Sequence, residues 1–325
     1  MTSGFSFDGA LMNGFRAAHA RTFPWAFAFA FATICTSLMV AFFFIARDPL
    51  IAFFEAAEAL EGQPTPDDPM QVIGSLFGVL SPLIPWAIAG TLISWAVWAM
   101  FETASQRRYI RDEKFTLSFG GDELRMMGTG VFWFLMQAII FFIPLAAGLS
   151  TLGLIGQLAD GTMTENEVGQ RALQTMGLVF ASMLVLVPLY VFLATRYSPS
   201  FGLTLKDRKV AFFDGWIASR GRFWPILGAF VIVSVVAGIV DSIVSMIAQA
   251  AMMPAMLSTS FITDEIPDLD EFFTPAVFFA IVLYLFVRYF MAGLVMHFSA
   301  APAAFAARHD PRGGVDDAQT ISDFD

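Results

Sequence analysis

Cysteine, histidine and lysine are scarce in this chain of 325 residues. The single cysteine, Cys35, has no second thiol with which to form an intrachain disulfide or a cysteine-ligated metal cluster. The three histidines, His19, His297 and His309, are scattered along the chain. No phosphate-binding Gly-x-x-x-x-Gly-Lys loop, no Gly-x-Ser-x-Gly nucleophile motif and no His-Glu-x-x-His zinc motif occurs. These absences argue against an enzyme, and the sequence predicts neither a cofactor nor a metal ion.

Charged residues are also few, at 14% of the chain, whereas 57% of the residues are hydrophobic and 37 are phenylalanine. The mean hydropathy is +0.68, a value that soluble domains of this length rarely reach. No cluster of basic residues is large enough to bind nucleic acid. The composition indicates a protein that is embedded in a lipid membrane.

Six continuous apolar segments lie at residues 24–46, 73–101, 131–154, 173–195, 223–252 and 274–298. Each is long enough for a helix to cross a hydrocarbon core of about 30 Å. Their apolar residues run continuously rather than in alternation, which favours helices over the strands of a barrel. The sequence predicts an all-α fold, a polytopic membrane bundle of six transmembrane helices.

The basic residues are distributed unevenly around these segments. Fifteen of the 18 lie before the first segment, in the second or fourth gap, or after the last segment. Because basic loops stay on the cytoplasmic side, both termini are predicted in the cytoplasm. Arginine outnumbers lysine fifteen to three and alanine is abundant, a composition typical of GC-rich bacterial genomes, so we predict a protein of a bacterial inner membrane. The other three gaps are acidic. The run from Asp264 to Glu271 lacks the glycine and the ligand spacing of a calcium-binding EF-hand loop, so no metal site is predicted there.

A weak internal repeat divides the predicted transmembrane domain, 1–306, into units at 1–106, 107–200 and 201–306. Each unit has an aromatic pair at the start of its first span and a Phe-Asp-Gly or Phe-Gly-Gly upstream, at residues 7–9, 119–121 and 213–215. We interpret the stretch between them as an inner-face amphipathic helix leading into a two-helix hairpin. Alternatively, aromatic residues simply collect at inner-leaflet helix starts. Residues 307–325 are predicted to form a disordered acidic cytoplasmic tail.

The fourth gap has a recognisable pattern. Arg196 and Pro199 close one span, and a short stretch containing Ser219, Gly221 and the pair Phe223-Trp224 opens the next. In this pattern the chain resembles six-span bacterial proteins that are similar to the membrane domain attached to some glycerophosphodiester phosphodiesterases. The resemblance covers the spans and this loop, and it implies a membrane bundle. It does not include the soluble phosphodiesterase barrel, so it implies no such activity.

Two charged residues, Asp241 and Arg288, fall inside predicted spans. At 1.5 Å per helical residue they lie about 18 and 21 Å from the outer ends of their spans, which is a similar depth. A charge inside the membrane costs about 2.5–3.5 kcal/mol on insertion scales and so needs a partner. We predict that the two face each other, away from lipid. The pair is either structural or part of a proton or substrate relay.

Other polar residues accompany these charges. Ser234, Ser245 and Gln249 share one helical face with Asp241, a pattern that indicates either close helix packing or a polar pathway. At the inner face Glu102 and Arg196 close the second and fourth spans. There they are expected as solvated interfacial charges within reach of headgroup phosphates or of each other.

Three functions follow from these features. The first is a non-catalytic membrane protein that supports envelope or lipid organisation, with membrane lipids and protein partners or a second copy as its contacts. The second is a small transporter or permease component that uses Asp241 and Arg288. The third, a membrane-bound lipid-modifying enzyme, is implied by the family resemblance alone.

Overall fold

The computed structural model describes residues 5–61, 69–159, 163–257 and 274–313. The chain is about 85% helical, and the described residues contain no strand, which confirms the all-α fold. The helices are α1 (Phe7–Arg16), α2 (Phe23–Ile45), α3 (Arg47–Glu61), α4 (Pro69–Leu80), α5 (Ile84–Arg111), α6 (Gly121–Ala159), α7 (Glu165–Tyr197), α8 (Ser200–Lys206), α9 (Asp214–Ala218), α10 (Phe223–Leu257) and α11 (Pro275–Arg308).

Among the described residues, six helical stretches are long and apolar enough to cross a membrane. They are Phe23–Ile45, Phe77–Arg111, Gly121–Phe142, Asn166–Lys206, Phe223–Pro254 and Pro275–Arg308. Each overlaps one of the apolar segments found in the sequence, so the predicted number of spans is confirmed. The chain is thus built as a multi-pass membrane protein.

Several helices continue well past the apolar segments. Helix α5 was predicted to end near residue 101 but reaches Arg111, and α11 continues from the predicted end at residue 298 to Arg308. The added turns are covered by other parts of the protein, since Tyr109 and Ile110 are each only 1% exposed. Burial against protein replaces contact with lipid in these turns, and therefore they need not be apolar throughout.

Close contacts divide the chain into two compact units. The first comprises residues 1–41, 96–129 and 195–325, and the second comprises residues 42–95 and 130–194. In the second unit Gln137 donates a hydrogen bond to the hydroxyl of Tyr190 at 2.8 Å, and the ring of Phe42 meets that of Trp86 edge to face.

The core of the first unit is built around the small residues near the end of α11. Ala301, Ala304 and Ala307 are almost completely buried there. Their small side chains allow close approach: a Cβ on Gly202 of α8 would lie only 2.6 Å from the Cβ of Ala307. A second cluster packs the start of α2 against α5 through Phe27 and Phe101, whose rings meet edge to face.

The three predicted amphipathic helices have different outcomes. The first exists as α1, with its own N-cap at Ser6 and an apolar face that packs on α10 and α11. Residues 119–133 instead form the lead-in and first turns of the continuous helix α6, since Glu123 accepts the Gly120 N–H at 2.8 Å and caps that helix at Gly121. In the third repeat the helix is α9, of only five residues. The repeat boundaries remain a prediction.

Residues 307–313, the first part of the predicted disordered tail, are packed against other parts of the protein. Helix α11 ends at Arg308, and the buried Asp310 carboxylate accepts a hydrogen bond from the Lys206 ammonium at 2.9 Å. Lys206 also donates to the backbone carbonyl of Gly313 at 2.8 Å, so both contacts join this segment to α8. The rest of the predicted tail, residues 314–325, and the whole acidic run 264–271 lie outside the described residues.

Candidate functional site

The predicted contact between Asp241 and Arg288 is present. Arg288 of α11 directs one guanidinium nitrogen, Nη1, at both carboxylate oxygens of Asp241 on α10, at 2.9 and 3.0 Å. The same nitrogen donates to the hydroxyl of Ser245, one turn along α10. The three side chains therefore form one polar group between two apolar helices.

This group is less enclosed than the sequence suggested. The side chains of Arg288 and Asp241 are 39% and 31% exposed, so protein covers only part of the pair. Ser234 and Gln249, which share the stripe on α10, are exposed. The structure brings Asp241, Ser245 and Arg288 together. It leaves Ser234 and Gln249, at the two ends of the stripe, exposed on α10.

We expected Glu102 to be a solvated interfacial charge, but the structure buries it. Its side chain is 7% exposed, and it accepts a hydrogen bond from Gln106 Nε2, one turn further along α5, at 2.8 Å. The expectation was wrong because α5 continues for nine residues beyond Glu102 and the N-terminal segment packs over those turns. Glu102 therefore lies inside the first unit rather than at its surface.

Arg196 also has a structural position. Its guanidinium donates to the backbone carbonyl of Ser219 at 3.1 Å and lies 5.2 and 5.3 Å from the ring centres of Trp216 and Phe223. These contacts fasten the end of α7 to the short segment that contains α9 and leads into α10. The Arg and aromatic residues that stood out in the fourth gap thus belong to one packing arrangement.

A buried polar cluster near the end of α5 was missed in the sequence. We call it the Arg108–His297 cluster; it consists of Arg108, His297, Ser105 and Tyr109. Arg108 and His297 are completely buried. Arg108 donates from Nε to the carbonyl of Ala18 at 2.8 Å, and from Nη1 to His297 Nε2.

The hydrogen bonds in this cluster fix the tautomer of His297. A guanidinium group can only donate, so His297 Nε2 must accept from Arg108 and the ring proton lies on Nδ1. His297 Nδ1 then donates to Ser105 Oγ at 2.8 Å. The Tyr109 hydroxyl lies 3.1 Å from the backbone oxygen of His297, to which it donates.

Aromatic rings close the cluster on both sides. The His297 ring stacks between Phe23 at 4.9 Å and Tyr109 at 5.0 Å. The Arg108 guanidinium lies 5.2 Å from each of these two ring centres. The Ser105–His297 contact is as short as in a nucleophile–base pair, but both side chains are 0% exposed. A substrate cannot reach them, so the cluster joins the start of α2 to α5 and α11.

The same arginine holds α1 in place. Arg108 Nη2 donates to the carbonyl of Gly14 at 3.0 Å, and Asn13 Nδ2 donates to the carbonyl of Ala301 at 2.8 Å. A Cβ on Gly14 would lie 2.7 Å from the ring of Phe298, so α1 approaches α11 as closely as a glycine allows. Helix α1 is therefore a fixed part of the first unit.

An apolar groove of about 390 Å³ runs between α1, α10 and α11. Its lining includes Leu11 and Phe15 of α1, Val236 and Val240 of α10, and Met291 and Leu294 of α11. All fourteen lining residues are apolar or glycine. Such a surface has no hydrogen-bonding group for a polar ligand and suits a hydrocarbon.

Outside the spans, two carboxylates link the segment that follows α11 to the segment that follows α8. Asp310 accepts from Lys206 and Arg312, and Asp214 accepts from Lys209 and Arg312 at 2.9 and 2.8 Å. Burial acts to raise the pKa of each carboxylate, but the hydrogen bonds from these cations outweigh it and lower both pKa values.

No group of three or more histidine, cysteine or acidic side chains is placed to hold a metal ion within the part of the chain that the structure describes. Comparison of the chain with family models, curated proteins and solved structures gave no match. The candidate sites are therefore the Asp241–Ser245–Arg288 group and the apolar groove, as defined by their own chemistry.

Proposed function

We propose that this chain is a protein of a bacterial cytoplasmic membrane, with both termini in the cytoplasm, that supports envelope or lipid organisation without catalysing a reaction. The observation that carries the proposal is helix α1. It is amphipathic and packs by its buried residues Ala10 and Gly14, while Phe15 is 60% exposed beside the exposed Arg16. A helix of this kind lies in the membrane interface.

Exposed cations of the first unit support a contact with anionic lipid. They come from the segments that the charge distribution assigns to the cytoplasm, and they include Arg16, Arg21, Arg208 and Arg220. Each basic residue near an anionic leaflet contributes about 1 kcal/mol of attraction. The aromatic and basic side chains at this end would together hold the first unit at a fixed depth in the headgroup region.

Reporter fusions test the orientation. A reporter that is active only in the periplasm should give signal when fused at about residue 62, 163 or 266, and none at 118, 208 or 320. The latter three positions lie within or after the basic segments, which are expected to stay in the cytoplasm. A reversed pattern would overturn the orientation and, with it, the assignment of the cations to the cytoplasmic leaflet.

Lipid retention tests the proposed role. The full chain is extracted with its surrounding bilayer by a polymer that forms discs, and the retained lipids are quantified. The double substitution of Arg16 and Arg21 with glutamine should lower the ratio of anionic to zwitterionic lipid. Substitution of Arg171, an exposed arginine in a segment assigned to the other side, serves as the control. An unchanged ratio in both variants would contradict a headgroup role.

The Asp241–Ser245–Arg288 group favours a second candidate function, a small transporter or permease component. A partly exposed ion pair inside apolar helices is the arrangement that proton and substrate pathways use. In proteoliposomes with a fluorescent pH indicator, wild-type protein would then conduct protons faster than an Asp241→Asn variant. Equal rates, at the level of protein-free vesicles, would remove this candidate for proton movement.

A further inference from the structure

We propose that the groove between α1, α10 and α11 binds one acyl chain of an anionic phospholipid from the cytoplasmic leaflet. The inference deepens the proposed lipid role and rests on it for the assignment of the leaflet. It names the ligand and the residues that would contact it. The supporting observations are the direction and length of the groove, its apolar lining, and the ion pair near each of its ends.

The groove follows the axes of two membrane-spanning helices. Its lining residues recur every three or four positions, within 232–240 on α10 and 291–301 on α11. At 1.5 Å per residue the longer stretch covers about 15 Å. That length is half of a hydrocarbon core of about 30 Å, which is the depth of one leaflet. A chain that enters from the interface can thus extend along the whole groove without leaving its own leaflet.

The lining of the groove suits a hydrocarbon chain. The cavity holds about 390 Å³, and all fourteen of its lining residues are apolar or glycine. An extended acyl chain contacts only such atoms and has no polar group that would be left unpaired. A phospholipid also brings an anionic headgroup, which the exposed Arg16 beside the groove can bind.

The groove is open to the side, as a lipid site must be. Val236 and Val240 of α10 line it and are 56% and 45% exposed. Helix α1 forms one wall through Leu11 and Phe15, and the Phe15 ring stacks on Phe298 of α11 at 5.0 Å. A chain can therefore enter laterally from the bilayer and be held against α1.

An arginine–aspartate pair lies near each end of the groove, and the two pairs differ in their exposure. At the α1 end Arg16 follows the lining residue Phe15, and its guanidinium lies 2.6 Å from the Asp8 carboxylate. Both side chains are more than half exposed, and such pairs contribute little, so Arg16 remains accessible to a lipid phosphate. At the other end Asp241 and Arg288 lie within one helical turn of the lining residues Val240 and Met291. This ion pair limits how far an apolar chain can extend.

Photo-crosslinking tests the proposal. The full chain is placed in vesicles that contain phosphatidylglycerol with a diazirine in one acyl chain, and the labelled peptides are identified by mass spectrometry. We expect label on residues 232–240 and 291–301. Val236→Trp would fill the groove and should lower this labelling roughly tenfold, as expected when the space of two buried methylenes is lost.

Val235→Trp is the matched control. Val235 and Val236 are adjacent valines of α10 that are 55% and 56% exposed, and only Val236 lines the groove. The control should keep wild-type labelling. Ala237→Phe is a second groove variant, for use if Val236→Trp fails to fold, and thermal unfolding of each variant checks the fold.

Several results would overturn the proposal. These are equal labelling of the two valine variants, label spread evenly over all lipid-facing helices, stronger labelling by a free diazirine fatty acid than by the phospholipid, or label that joins two copies of the chain through the groove. Each can occur while the reporter fusions and the anionic lipid ratio behave as predicted. Failure of the groove is thereby distinguished from failure of the proposed function.

Discussion

Replacing Arg288 with alanine would remove the guanidinium nitrogen that holds Asp241 and Ser245. That nitrogen contacts both oxygens of the Asp241 carboxylate, at 2.9 and 3.0 Å, from a neighbouring helix. The carboxylate would then remain among apolar helix surfaces without its cation. A lone charge in a span costs about 2.5–3.5 kcal/mol on insertion scales, and breaking a buried pair costs about 3–5 kcal/mol.

The expected loss in the free energy of unfolding lies at the lower end of these ranges. The Asp241 side chain is 31% exposed, so the pair is only partly buried and its loss costs less than that of a fully buried pair. We therefore expect Arg288→Ala to lower the free energy of unfolding by about 3 kcal/mol. The double substitution Asp241→Leu with Arg288→Met removes both charges at similar volume and should lie within about 1 kcal/mol of wild type.

Unfolding by increasing mole fractions of a denaturing detergent in mixed micelles measures these differences. Arg21→Ala, which removes an exposed arginine outside the spans, is the control and should change little. The reasoning fails if the double variant is as unstable as Arg288→Ala, because the cost would then come from lost packing rather than from an unpaired charge. If the double variant is stable but a growth defect persists, the pair acts in function.

Three further predictions test other parts of the structure. Gly202→Ala should destabilise the protein by about 1–3 kcal/mol through overpacking against Ala307, whereas Gly238→Ala, with open space around it, should be neutral or stabilising in thermal unfolding. Arg108→Met should free α1, seen as faster protease cleavage before residue 20, and should lower phospholipid labelling in the groove although no lining residue changes. The contribution of Asp310, whose pKa is lowered in the folded protein, is present above its unfolded pKa of about 3.9 and is lost as the pH falls through the folded value. Thermal midpoints measured from pH 7 to pH 3 should therefore fall at the acid end, and Asp310→Asn should flatten that fall.

The sequence could predict the spans and the central ion pair for the same physical reason. A hydrocarbon core demands about 20 apolar residues per helix, and it penalises a lone charge strongly enough that Asp241 and Arg288 had to be considered together. Counting residues from the ends of two adjacent spans was then sufficient to place them at one depth. The half-exposed state of the pair could not be foreseen, because it depends on which face of each helix other elements cover.

The Arg108–His297 cluster gave no comparable signal. Arg108 follows Arg107 in a basic gap, where a solvated charge is the usual reading, and part of its hydrogen bonding goes to backbone carbonyls of Gly14 and Ala18. Every residue has a backbone carbonyl, so the sequence does not indicate which of them will accept a hydrogen bond. His297 likewise stands in an apolar run with no polar residue at helical spacing that would indicate a partner. The contacts arise only when α1 and the segment after it fold back over α5 and α11.

The fixing of α1 has a consequence for lipid binding. An amphipathic helix that is held only by lipid adopts many positions, and a groove beside it would have to form each time a lipid binds. Here two hydrogen bonds, from Arg108 to α1 and from Asn13 to α11, and the close approach at Gly14 hold α1 in place. The wall that α1 contributes is thus in place before a chain enters, and binding incurs less ordering cost. Burying Arg108 costs the protein desolvation energy. In return, Arg108 fixes α1, which could not form a persistent wall of the groove if it were held by its apolar face alone.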